Sequence, residues 1–144
     1  LAIPSSPFDR QRISLGGNHL AVAIAGGLRL FDVANAVMPR AIGDVAINDF
    51  QAIAVSPSLV FAASPRANDT RHVAAYSVSD VGGRPVFEAQ LPSPVRSLTT
   101  QGDVLVAITE KTGIYWLSAD PPPDTPPAVL HRSSICLPYL EQSR

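Results

Sequence analysis

The chemistry open to this sequence rests on three histidines, one cysteine and a scatter of carboxylates. His19, His72 and His131 stand far apart and form no His-x-x-x-His or His-x-His pair, the spacings that bring two imidazoles to one metal ion. They are read as surface or strand residues. There is no G-x-S-x-G, no G-x-G-x-x-G and no G-x-x-x-x-G-K-[ST], so a nucleophile elbow, a dinucleotide fingerprint and a phosphate loop are all absent. Asp32, Asp44, Asp49, Asp69 and Asp103 fall near the ends of apolar runs, where carboxylates commonly accept bonds from turn amides. "NDF" (Asn48 to Phe50) and "ANDT" (Ala67 to Thr70) lack the oxygen spacing of a calcium loop. The expectation is a chain with no catalytic residue, no cofactor and no metal of its own.

Cys136 has no second cysteine to pair with, which leaves a small buried thiol or a bond to another chain or segment. Asn68-Asp69-Thr70 fits the N-x-[ST] glycosylation pattern, which has meaning only in a secreted eukaryotic protein.

The 144 residues are 46% hydrophobic and 16% charged, with a formal net charge of -1. That is enough apolar material for one domain's core. Lys111 is the only lysine, and the arginines are spread singly along the chain. Nucleic acid and anionic membrane surfaces are therefore not expected partners, since both call for a basic cluster. The longest apolar run, Leu20 to Leu28, is far short of the roughly 20 residues that cross a bilayer, so no spanning segment is predicted.

The organisation emerges when the chain is slid along itself. Leu20-Ala-Val-Ala-Ile24, Leu59-Val-Phe-Ala-Ala63 and Val104-Leu-Val-Ala-Ile108 are each followed by a short loop and a second apolar run beginning at Gly27, His72 or Gly113. The first landmark steps by 39 and 45 residues, the second by 45 and 41. A shorter run precedes each pair ("RISL", "FQAIAVS", "VRSLTTQ") and another follows it ("RAIGDVA", "PVFEAQL", "PAVLHRSSI"). Four strands repeating every 40-odd residues define the blade of a β-propeller. The middle runs are almost continuously apolar, as expected of sheets covered on both faces, and Gly16-Gly17, Pro57, Gly82-Gly83, Pro92 and Pro94 punctuate the turns. The fold class is thus all-β, with about three four-stranded units over residues 12–46, 50–91 and 95–135 in a single partial propeller domain. A β-sandwich is the alternative, but it has no reason to repeat its hairpins at a fixed step.

Within the first unit, "GLRLFDVANAVMPRAIGDV" resembles the LVIVD-repeat propeller family through Gly27, Leu28, Leu30, Asp32, Val33, Pro39, Ile42 and Gly43. The later units are looser, with Ser77 and Ser118 in place of the aspartate. The resemblance implies a surface or secreted binding scaffold, extracellular or periplasmic, and supplies no catalytic motif. A start at Leu1, with Met38 the only methionine, is read as either a processed terminus or the boundary of a chosen segment.

Propellers close with about four to eight blades, so three leave two apolar sheet faces to be covered. The segments at the two ends, "AIPSSPFDRQRISL" and "ICLPYLEQSR", resemble the internal link "AQLPSPVRSL", which favours a piece of a longer propeller. A homodimer of six blades and a three-blade monomer remain open. The expected partner is a protein, either remaining blades on another chain or segment or a second copy. In an up-and-down blade the turn between the second and third strands shares a face with the link to the next blade. That face gathers Asp49, Arg66, Asp69, Arg71, Glu110 and Lys111, a mixed-charge surface suited to a protein partner. The function expected is a noncatalytic interaction or structural scaffold. The rival is part of a propeller enzyme with a channel-end site built by Gln51, Arg96, Thr99 and Gln101.

Overall fold

A computed structural model of the chain describes residues 12–47, 50–64, 70–102, 104–118 and 129–133. Apart from one 3₁₀ turn (Val78–Asp80), its regular structure is all strand. Three antiparallel four-stranded sheets follow one another along the chain. The first holds β1 (Ile13–Gly16), β2 (His19–Ile24), β3 (Gly27–Asp32) and β4 (Arg40–Ala46). The second holds β5 (Ala52–Val55), β6 (Leu59–Ala63), β7 (His72–Ser77) and β8 (Phe87–Gln90). The third holds β9 (Val95–Gln101), β10 (Val104–Thr109), β11 (Ile114–Ser118) and β12 (Val129–Ser133). Every strand pairs with its neighbour in sequence, and the first strands of the three sheets lie side by side, β1 on β5 and β5 on β9. Sheets radiating from adjacent first strands are propeller blades, whereas a sandwich would stack two sheets face to face.

The core lies in two slabs between the blades. Ala21, Ala23, Leu28, Leu30 and Val45 of the first blade pack on Ile53, Val55, Val60, Ala62, Ala74 and Tyr76 of the second. Ala52, Ala54, Phe61, Ala63, Val73 and Ala75 on the other side of the second blade pack on Leu98, Leu105, Ala107, Tyr115 and Leu117 of the third. Successive side chains of β5, β6 and β7 thus enter opposite slabs, as strand alternation requires. That is why these strands read as unbroken apolar runs. Alanines let the sheets approach closely, and Gly16 carries this furthest: a Cβ there would overlap the Val55 carbonyl oxygen, so β1 meets β5 backbone to side-chain-free backbone.

The outer faces differ. On β1, Ile13 and Leu15 are 58% and 66% exposed, although their cross-strand partners are the apolar Val22 and Leu20. On the far side of the third blade, Ile108 is 39% exposed beside its partner Ile114. Apolar strands thus flank the stack at both ends.

Candidate recognition face

The turn after each second strand and the link into the next blade come together on one side of the stack, and hydrogen bonds fasten them. The Gln51 amide donates to the Ala63 carbonyl at 3.1 Å, Val95 N to Thr70 O at 2.9 Å and Glu110 N to Pro94 O at 2.9 Å. The β8–β9 link is held from both sides. Leu91 N donates to Arg71 O at 2.9 Å, while the buried Ser93 hydroxyl accepts from Lys111 N at 3.2 Å and lies 3.2 Å from Thr112 Oγ1.

Between the second and third blades this side opens into a cleft of about 290 Å³, lined by Phe50, Gln51, Ser64, Thr70, Pro94, Val95 and Glu110. Ser64 is its unusual member. It has φ of 60°, the left-handed region that side chains other than glycine rarely adopt. Its amide is fixed by the His72 carbonyl at 2.6 Å. Its hydroxyl, on a residue 7% exposed, has no hydrogen-bond partner among the described residues. A buried hydroxyl without a partner costs about 1–3 kcal/mol, and a strained backbone of this kind about as much again.

Of the charged residues expected on this face, Arg71, Glu110 and Lys111 stand on its two turns and are exposed. Asp49, Arg66 and Asp69 lie outside the described residues. So do Asn68, Cys136 and Asp103. Glu110 receives Arg96 Nη1 at 3.4 Å, an exposed pair of the kind that contributes under about 1 kcal/mol. Arg96 thereby turns toward the turn of its own blade, Gln51 lines the cleft, and Thr99 and Gln101 are exposed along β9.

Two arrangements outside the face escape a sequence reading. His72 Nε2 meets Glu88 Oε1 at 2.9 Å, an imidazole and carboxylate next to Ser64 in the ladder. Since the Ser64 hydroxyl bonds to neither, the nucleophile–base contact of an acyl-transfer relay is not made. Asp44, expected to serve a turn amide, instead lies within β4 and grips Arg29 with both oxygens, Nε–Oδ1 2.7 Å and Nη2–Oδ2 2.9 Å. The hydrogen bond from Arg29 holds the Asp44 carboxyl below its ordinary value, and Arg29 is raised in turn. Asp32 does serve a turn, accepting from Ala34 N at 2.9 Å, and that bond lowers its carboxyl. The signal that could have pointed to the Arg29–Asp44 pair is an arginine in the otherwise apolar "GLRLF", where the other units carry Ala74 and Tyr115. Nothing in the sequence marked Ser64. Among the described residues no three His, Cys, Asp or Glu side chains gather as a metal site, and no helix is long and apolar enough to cross a membrane.

No protein-family model matches the chain, and no curated protein matches it in sequence. Solved structures do. BamB from Moraxella catarrhalis is 13% identical with a TM-score of 0.58, over 94% of this chain and 38% of that one. The β-propeller domain of Cps50 (Swd1) from Myceliophteria thermophila is 14% identical with a TM-score of 0.55, over 84% and 38%. The computationally designed Ika4 protein is 12% identical with a TM-score of 0.53, over 82% and 71%. At these identities the likeness is one of fold: the chain is built of β-propeller blades. It spans little more than a third of the BamB and Swd1 chains.

Proposed function

We propose that this chain is a noncatalytic protein-interaction and scaffold module, three blades of a larger propeller assembly, which takes a protein partner on the face of the β6–β7 and β10–β11 turns. The observation that carries this reading is Ser64, whose unbonded hydroxyl is held at the cleft on a left-handed backbone. Residues kept in such conformations against their own preference cluster at ligand clamps, and a buried hydroxyl with no bond to a described residue is open to a partner's donor or acceptor. The rim of Arg71, Glu110 and Lys111 carries both signs of charge, which suits a protein surface better than a polyanion. The apolar end faces support the larger assembly, because a repeat cannot bury its own hydrophobic face alone. The LVIVD-like first blade favours an extracellular or periplasmic location, which cell fractionation tests directly.

The partner reading is tested with a photo-reactive side chain placed at Thr70 or Lys111 in the cells that make the protein, with the remote exposed Val37 as control. Adducts to a defined protein from Thr70 and Lys111, absent from Val37, are expected. Equal labelling from all three, or none, would overturn the recognition face.

A further inference from the structure

The cleft between the second and third blades combines three kinds of surface, and together they narrow what it can hold. Part of its lining is apolar: Phe50 and Val95 are 5% and 2% exposed, with Pro94 half-buried beside Val95. Two hydroxyl residues of the second blade join them, Ser64 and Thr70, and the buried Ser64 hydroxyl has no hydrogen-bond partner among the described residues. Among the described residues that line the cleft, Glu110 is the only charged one. Its Oε1 meets Arg96 at 3.4 Å.

An anion or a purely apolar group fits this set poorly. A carboxylate or phosphate would lie against Glu110, and an apolar group would cover the Ser64 hydroxyl and the Glu110 carboxylate without bonding to either. A cation on an aliphatic stem meets all three surfaces, with methylenes along the apolar lining and the charged head at the oxygens. The volume of about 290 Å³ lies at the small end of ligand pockets and suits a single side chain. A lysine head is compact and carries three donors, which can serve oxygens on separate walls, whereas a guanidinium is matched to both oxygens of one carboxylate. Glu110 already gives one of its oxygens to Arg96, which favours the ammonium.

We propose that the cleft seats one lysine side chain of the protein partner, its ammonium held between Ser64 Oγ and the Glu110 carboxylate. The inference deepens the partner reading above and rests on it. Arg71 and Lys111 stand on the turns around the lining, so acidic residues on either side of that lysine meet positive charge on the rim. Arg96 is then a competitor, pairing with Glu110 until the lysine arrives.

The test uses two probe peptides, acetyl-Glu-Lys-Glu-amide and the same peptide with norleucine for lysine, which keeps the stem and removes the charge. Saturation-transfer NMR on the native protein reads their binding. The lysine peptide is expected to bind with about millimolar affinity, as befits so small a ligand, with the strongest transfer at its lysine methylenes, and the norleucine peptide much more weakly. Glu110→Gln should weaken the lysine peptide about threefold, and Arg96→Gln, which removes the competing cation, should strengthen it by about as much. Both variants should keep the parent's circular dichroism spectrum. Equal binding of the two peptides, no binding of either, or weakening by both substitutions alike would overturn the proposal. Photo-adducts to a defined protein from Thr70 and Lys111, together with a lysine peptide that does not bind, would overturn the lysine while leaving the recognition face standing.

Discussion

Thr100 Oγ1 donates to the carbonyl oxygen of Val55 at 2.5 Å, across 45 residues of sequence. The same carbonyl faces the bare Cα of Gly16, so one peptide group of β5 is where all three blades meet. Gly16→Ala should lower unfolding stability by about 2 kcal/mol, because the new methyl has only backbone to displace. Thr100→Val, which keeps the shape and removes one bond, should lose about 1 kcal/mol. Urea denaturation of the two variants checks the order. A Gly16→Ala protein as stable as its parent would mean that β1 and β5 do not approach as described.

Ser64→Gly relieves the left-handed strain and removes the unbonded hydroxyl together. The expected outcome is a gain of about 1 kcal/mol in the same assay, accompanied by weaker crosslinking from Thr70. A loss of stability would indicate that the hydroxyl is satisfied in solution.

Leu30, 1% exposed in the first slab, should cost about 2–5 kcal/mol when truncated to alanine. Val37→Ala, at a site 89% exposed, should stay within about 0.5 kcal/mol. Thermal melts separate the two, and equal effects would contradict the slab.

The Arg29–Asp44 and Asp32–Ala34 contacts make stability depend on acid. Both carboxyls lie below the ordinary aspartate value of 3.8, so the folded state holds its protons less tightly than the unfolded chain. Their contribution is fully present above that value and is lost as pH falls through the lower folded values. Asp44→Asn should flatten part of the fall in melting temperature below about pH 4. An unchanged acid profile would show that the pair does not persist in solution.

How far the sequence reveals this molecule depends on the range of each interaction. "RAIGDVA" and "VRSLTTQ" coincide with β4 and β9, because alternation and turn residues are local signals. "FQAIAVS" shrinks to the four residues of β5. Ser56 leaves the strand to close a turn, its hydroxyl accepting from Leu59 N at 3.0 Å. Glu110 and Lys111 could be placed on a turn between two apolar runs, and they stand on one. The Thr100–Val55 bond, the Arg29–Asp44 grip and the Ser64 backbone were not legible. The first two join residues 45 and 15 apart, and the third is imposed by the ladder at His72 on a residue type that does not ask for it.

The second blade is covered on both faces, with β5 and β6 buried at every position, while each of its neighbours packs against another described blade on one face only. In a row of units that touch only their neighbours, the end units open first and the middle one cannot open until an end has left it. Amides of β6 and β7 should therefore be the last in the chain to exchange with solvent, and the order in which the others fade would trace the unravelling inward, blade by blade.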